Sequence, residues 1–429
     1  MPDPRFRWRS IVIPVLGPSM LFGVGVGSIF PIIALMALEL GASHAVSGVI
    51  VALIGLGSFF NNIPAGLLIS RIGERKAMIG TALFSIAGLS LCLLARHPAT
   101  LALGVTMQGM AQSVFYLARQ TYIMDAVPLT LRARAFSLLG GTQRIGMFAG
   151  PFIAAAVMHF MGLRGAFWTA IVALILTAIL CFTLKELPST EPSTTGKTDG
   201  VSPLSPAELA KQKRPKMLAI LRENYRALVT LGVGIMFIGA MRSSRQVAVP
   251  LWAEHIGLSP TATALVFGFI SAIDIVFFYP AGKIMDEYGR LWVALPCGFL
   301  MGLSFVLMPL TPTLWPFILV AAVMGFGNGI GSGIMMTLGA DASPAHGKTQ
   351  FLSLWRLISD FGQSMGPFIL SGLTALFTLG TGVFSIGLFG FASTAIFWKY
   401  LPRDTHLKAR KAAVTKCVAA SSNPGKQPN

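Results

Sequence analysis

The segment QRIGMFAGPFI, residues 143–153, sets the architecture, because 216 residues later the chain reads SDFGQSMGPFI, residues 359–369. Gly146, Gly150, Pro151, Phe152 and Ile153 return as Gly362, Gly366, Pro367, Phe368 and Ile369. The same offset carries Pro64-Ala65-Gly66 to Pro280-Ala281-Gly282, Gly73 to Gly289, Gly109 to Gly325, and Asp125 and Pro128 to Asp341 and Pro344. One register held without a gap over so long a stretch makes the chain a duplicated unit. The first copy also places a permanent charge, Arg144, inside an otherwise apolar run, and the second places an acid, Asp360, at the matching position.

The surroundings of both segments suit lipid. Of 429 residues, 54% are hydrophobic and 11% charged, whereas soluble chains carry about a quarter charged residues; the mean hydropathy is +0.71. The apolar runs are continuous and about 20 to 25 residues long, the length of a spanning helix rather than of an alternating barrel strand. Twelve such runs lie near 12–38, 45–69, 77–95, 100–124, 134–158, 164–184, 227–251, 261–284, 291–311, 314–338, 350–374 and 379–401. The sequence therefore predicts an all-α integral membrane protein: a six-helix bundle over 1–184, a linker over 185–226, a second six-helix bundle over 227–401 and a basic tail over 402–429. The basic N-terminus MPDPRFRWRS reads as the lead into a first span rather than as a secretory signal. The linker is rich in Ser, Thr, Pro and Lys. Within it, SPAELAKQ has helix-start chemistry, with Ser205 as N-cap, Pro206 in first position and Glu208 in the first turn.

The net charge of +17 is distributed asymmetrically. Of 33 Lys and Arg, 26 fall on one face of the membrane, only Arg96 and Arg164 on the other, and five inside spans. That asymmetry places both termini and the linker in the cytoplasm of a cell (inner or plasma) membrane protein. It also accounts for the basic character through the lipid bilayer, with no nucleic acid as partner. Cys92, Cys181, Cys297 and Cys417 show no metal-ligand spacing and read as small apolar residues; no cofactor or metal is implied. No phosphate loop or nucleophile constellation suggests an enzyme.

Two loops carry a family resemblance. GLLISRIGERK, residues 66–76, and GKIMDEYGRLW, residues 282–292, resemble the signature of the major facilitator superfamily between helices 2 and 3 and its echo between helices 8 and 9. The gating motif then comprises Gly66, Ser70, Gly73, Arg75, Gly282, Asp286, Gly289 and Arg290. GMFAGPFIAA, residues 146–155, is similar to the helix-5 motif of the 12-helix drug/proton antiporters in that superfamily. The departures are Ser70 at the acidic position of the first loop, Ala154 and Ala155 where glycines are usual, and Glu39 at a span end in place of an acid within helix 1. The resemblance implies two pseudo-symmetric six-helix bundles, alternating access, a small-molecule solute and protons as partners, and a monomer. From the residues alone, Gly66 and Gly73 permit close approach of helices, and Arg71, Arg75 and Lys76 meet anionic headgroups. Asp286 is expected to hold a gate. Gly146, Gly150, Pro151, Gly362, Gly366 and Pro367 form an expected hinge in which bent helices 5 and 11 pack along the seam of two rocking halves.

Charges inside spans are costly and point to a cavity or to one another. At about 1.5 Å per residue, Arg144 and Asp360 each lie roughly 15 Å deep, which makes Asp360 the expected counter-charge of Arg144. A local pair between Arg356 and Asp360, four residues apart, is the rival. Asp274 lies near mid-membrane with Arg242 at comparable depth, either as a structural salt bridge or as part of the cavity. Arg245 shares a face with Arg242. Gln108, Gln112, Tyr116 and Arg119 line one face of the fourth span. Gln143 and Gln363 complete the expected solute cavity with Arg144, Arg242 and Arg356, while Asp360 and Asp274 are the expected proton-coupling acids. Trp355 is a candidate cavity aromatic, and Asn61, Asn62 and Asn328 are weaker polar candidates. The reading these residues support is proton-coupled efflux of a small drug-like, anionic or zwitterionic solute. Uptake of an organic anion or metabolite is the alternative, and a non-transporting receptor the third.

Overall fold

A computed structural model of the chain describes residues 16–127, 129–184, 221–344 and 348–401. These fold into helices α1 (Gly17–Glu39), α2 (His44–Ile72), α3 (Glu74–Leu93), α4 (Pro98–Ala126), α5 (Leu129–Met161) and α6 (Arg164–Phe182) in the first half. The second half contains α7 (Tyr225–His255), α8 (Pro260–Glu287), α9 (Leu291–Leu307), α10 (Leu314–Ile330 and Ile334–Ala342), α11 (Lys348–Leu376) and α12 (Leu379–Tyr400). Among the described residues, ten of these twelve are long and apolar enough to cross a membrane. The other two, α4 and α11, are the ones that carry Gln108, Gln112 and Arg119 and Arg356, Asp360 and Gln363, so their polar faces lower the mean hydropathy. The SPAELAKQ segment and the tail lie outside the described residues.

The duplication extends to the helix starts. Ser43 caps α2 by accepting from the Val46 N–H, and Ser259 caps α8 by accepting from the Ala262 N–H. Gly41 and Gly257 turn the chain just before these caps with φ of 86° and 80°. Gly73 and Gly289 do the same between α2 and α3 and between α8 and α9, with φ of 82° and 106°. A side chain would be strained at all four. The two loop-motif glycines thus serve backbone turning. Gly66 and Gly73 were expected to permit close helix approach, and they do not: a Cβ on Gly66 would meet nothing nearer than Leu117 at 3.9 Å, and one on Gly73, or on Gly282 at the repeat position of Gly66, nothing within 4 Å.

The glycines of the quoted segment do pack closely, but within each half. A Cβ on Gly146 would strike the Met20 carbonyl, and one on Gly150 would lie 2.5 Å from the Val24 carbonyl. On α1, Gly23 and Gly27 answer them, facing the Gln143 and Met147 carbonyls at 2.5 Å. Ser28 ties the crossing by donating to the Gly150 carbonyl at 3.1 Å. In the second half, Gly362 and Gly366 press on the Met236 and Ala240 carbonyls of α7. Met236 and Ala240 are the repeat equivalents of Met20 and Val24.

The expected seam between helices 5 and 11 is therefore corrected. Without Cβ atoms, α5 seats on α1 and α11 on α7, so Gly146, Gly150, Gly362 and Gly366, with Pro151 and Pro367 beside them, belong to the interior of the halves. The halves instead meet along α5 with α8 and α2 with α11, supplemented by α1 with α7. At the membrane face opposite the linker, His44 of α2 lies 3.0 Å from Glu254 of α7. Nearby, Gly48 of α2 fits against Ser371 of α11 and Val247 of α7.

Candidate functional site

The seam between α5 and α8 contains the charge raised by the opening segment. The Arg144 guanidinium lies over the Phe278 ring, 4.4 Å from its centroid, and 3.8 Å from the Asp274 carboxylate of α8. The other Asp274 oxygen accepts a 2.6 Å hydrogen bond from the Asn328 amide of α10. Gly329 makes this approach possible, because a Cβ there would meet the Asp274 backbone at 2.7 Å.

Two further guanidiniums converge from α7. Arg242 reaches toward the place where α10 breaks. A Cβ on Gly331 would lie 3.1 Å from its Nη2 and would collide with the Cys297 sulfur. The break, Gly331–Gly333, is a short 3-10 turn, consistent with the low helix preference of glycine. Arg245 stacks toward Phe267, 5.9 Å from its centroid, and interacts electrostatically with Asp274, Arg242 and Arg144. The Nε and Nη2 of Arg242 and the Nε and Nη1 of Arg245 are buried without a hydrogen-bond partner. Among the described residues, two guanidiniums, Arg144 and Arg245, one from each half, thus accompany the Asp274 carboxylate, with Arg242 close to both.

This geometry corrects two pairings. Arg144 has its counter-charge in Asp274, not Asp360. The physical reason is the seam itself, which brings α5 against α8 and leaves α11 against α2. Asp360 pairs with Arg356 on its own helix at 3.7 Å, the local alternative. Arg356 is 72% exposed, so that pair lies at an open surface of α11. Arg242, expected beside Asp274, aims its guanidinium between α9 and α10 instead.

The expected polar face of α4 divides. Gln108 is spent within the first half: its amide donates to the Ser85 carbonyl at 2.7 Å and its oxygen accepts from the Ser85 hydroxyl at 2.5 Å. This corrects its assignment to the cavity, since both of its polar groups face α3. Tyr116 and Arg119 form a second cluster with Gln143 of α5. The Gln143 amide donates to the Tyr116 hydroxyl at 2.6 Å, and its oxygen accepts from Arg119. Gln112 lies one turn before Tyr116 on the same face of α4. The Arg119 guanidinium lies 4.5 Å from the Tyr116 ring centroid, and the residue is only 5% exposed. Gln363 stays on the α7-facing side of α11, 3.5 Å from the Ser359 hydroxyl. Trp355 proves to be a packing residue, donating to the Met335 carbonyl at 2.9 Å. Asn61 bonds Met110 and Ser113 on α4. Sequence reasoning left Arg245 out of the site and ranked Asn328 low; both belong to it, and the signal for Arg245 was its spacing of three from Arg242 on one helix face.

At the linker face, the motif residues are structural ties. Arg75 donates to the Phe182 carbonyl at 2.7 Å, closing the end of α6. It is therefore engaged with protein, not only with headgroups. Arg290 binds the Asp341 carboxylate at 2.9 Å and the Met285 carbonyl at 2.9 Å, joining α8, α9 and the end of α10. Ser70 donates to the Leu67 carbonyl of its own helix. The side chains of Asp286 and Asp125 lie outside the described ones.

Comparison with known proteins decides the family. The model of the Major Facilitator Superfamily matches residues 19–242 and 231–426. The chain belongs to the major facilitator superfamily. It is similar to a Na(+), Li(+), K(+)/H(+) antiporter of Planococcus maritimus, 22% identical over 91% of this chain and 96% of that protein. It is 23% identical to the inner membrane transport protein YajR of Escherichia coli over 85% of this chain and 77% of that one. A multidrug resistance protein MdtG of Enterobacter lignolyticus is 26% identical over 40% of this chain and 42% of its own length. Among solved structures, a bacterial homologue of the human lysosomal transporter Spinster, inward-facing and unoccupied, superimposes with a TM-score of 0.73 at 14% identity, covering 95% of this chain and 98% of that one. As a member of this superfamily the chain is a multi-pass membrane transporter of small solutes and not an enzyme.

Proposed function

We propose that this superfamily member is a proton-coupled exporter of a small anionic or zwitterionic organic solute, working by alternating access. The observation that carries the reading is the Arg144–Asp274 contact across the α5–α8 seam, held by Asn328 and flanked by Arg242 and Arg245. The cluster has more cations than anions, so an entering anionic group is attracted to it. Competition for Arg144 loosens Asp274 from its partner and opens it to a proton. Because Arg144 and Asp274 belong to opposite halves, that exchange alters the bond between them and biases which face is open.

The His44–Glu254 contact at the face opposite the linker and the exposed Arg356 on α11 favour a chain closed on that far face and approached from the linker face. The positive-inside asymmetry makes the linker face cytoplasmic. Loading from the cytoplasm fits export, and relatives named as a cation/H(+) antiporter and as multidrug resistance proteins favour exchange against protons. Asp274 is the leading coupling acid and Asp360 the second. The test is solute movement in proteoliposomes with an imposed pH gradient. Full gradient-driven transport in both Asp274→Asn and Asp360→Asn would overturn the reading.

A further inference from the structure

The charges that the described side chains place within the spans do not balance. Among the described side chains, Arg356 and Asp360 neutralise each other. Arg144 and Arg245 share the carboxylate Asp274, and Arg242, close to both of these guanidiniums, adds a further positive charge. Among the described side chains, Arg119 has no carboxylate partner: it rests on the Tyr116 ring and one Gln143 oxygen, with its Nε and Nη1 buried and unbonded. A guanidinium presents five N–H donors, and leaving such a charge buried without a counter-ion is expensive.

The surplus is also divided in space. One excess charge, on Arg119, lies inside the first half between α4 and α5. The remainder gathers at α7 and α8 of the second half. Gln143 and Arg144 are consecutive on α5, the first serving Arg119 and the second Asp274. Consecutive helical side chains diverge by about 100° on a cylinder about 10 Å across, which sets the two clusters on the order of 10 Å apart.

Resting on the anionic-solute reading above, we infer that the solute is a dianion recognised at two points, one anionic group on Arg119 of the first half and the other on the Arg242–Arg245 cluster of the second. Each group supplies a counter-charge that the described side chains lack. Gln143 and Tyr116 cover the Arg119 end and turn aside when that end binds. A solute that holds both halves reports its presence to both, which a single anionic group on one half does not.

The experiment uses the full chain in detergent, with α,ω-dicarboxylates from four to ten carbons and the matching monocarboxylates, in chloride-free buffer. Binding is read from ligand-induced thermal stabilisation and competition. The inference expects one chain length to bind at least about tenfold more tightly than its monocarboxylate, the worth of one further charge-assisted hydrogen-bonded contact. Arg119→Gln should remove that advantage, bringing the dicarboxylate down to the affinity of the monocarboxylate measured in the same variant, while Arg119→Lys, which keeps the charge, retains part of it. Equal binding of mono- and dicarboxylates, or a length preference that survives Arg119→Gln, would overturn the two-point inference while leaving the anionic-solute reading intact, provided the monocarboxylate still depends on Arg242 and Arg245. Saturation of the Arg119 end by chloride alone would overturn it as well. Binding of no carboxylate of either kind would defeat both. Should Arg119→Gln fail to fold, the length dependence in the unsubstituted chain and in Arg119→Lys decides.

Discussion

Arg144 of α5 and Asp274 of α8 lie 3.8 Å apart, with side chains 35% and 15% exposed, and form an ion pair between the two halves of the chain. The separation is longer than a hydrogen bond, so the pair is loose enough to be exchanged and close enough to be felt. Removing Arg144 alone strands a partly buried carboxylate, and removing Asp274 alone strands Arg144; removing both relieves that mismatch but still takes from Arg245 the carboxylate it feels. Arg144→Gln and Asp274→Asn should each lower thermal stability in detergent, and the double variant should recover part of the loss. The expected coupling in a double-mutant cycle is on the order of 0.5–3 kcal/mol, the range for residues in contact; an additive result would show that the two do not interact.

The far-face contact between His44 and Glu254 is exposed, so its contribution is at most about 1 kcal/mol. Glu254→Gln should therefore leave folding unchanged and shift the balance of open and closed states by no more than about fivefold. Spin-label distances between the far ends of α2 and α7 read this directly. A distribution unchanged from the parent would show that the contact does not hold the two halves together.

Glycine substitutions should divide sharply by position. Gly146→Ala places a methyl group into the Met20 carbonyl, and Gly362→Ala into the Met236 carbonyl, so both should sharply reduce the yield of monodisperse protein. Gly282→Ala meets nothing within 4 Å and should be near neutral. Gly73→Ala lies between, with a strain of about 1–3 kcal/mol from its positive φ and extended ψ of 160°. Size-exclusion profiles after expression at one temperature rank the four.

Cys92, Cys181 and Cys297 are buried. A thiol-reactive maleimide should label none of them in the folded chain and all three on unfolding. Rapid labelling of Cys297 in native protein would mean that the packing of α9 against Gly331 opens on the timescale of the reaction.

Arg290 holds Asp341 at 2.9 Å across the linker face, joining the start of α9 to the end of α10. Arg290→Ala should loosen that corner with less than about 1 kcal/mol of lost stability, since Asp341 is 46% exposed. Its effect should instead be on transport rate, measured as initial flux in proteoliposomes. An unchanged flux would confine the contact to a structural role.

Much of this molecule was legible as a string. Run length and the scarcity of charge require spanning helices, because lipid leaves backbone groups no partner outside the helix. The constant offset between Gly146 and Gly362 requires two copies of one bundle, and repeat-matched glycines at 73 and 289 mark matched turns. Such properties are local or periodic, so they survive in one dimension. Which helix faces which was not local. The sequence could place Arg144 and Asp360 at equal depth, but depth is one coordinate and partnership needs three. The glycines of α5 turned that helix toward α1, its other side met α8, and so Asp274 rather than Asp360 received the charge. Gln108 and Arg119 share a helix face in the string, yet one is satisfied by α3 and the other is left with buried nitrogens unpaired. Only tertiary packing decides that difference, because the free energy of a buried polar group depends on the atoms opposite it and not on its neighbours along the chain.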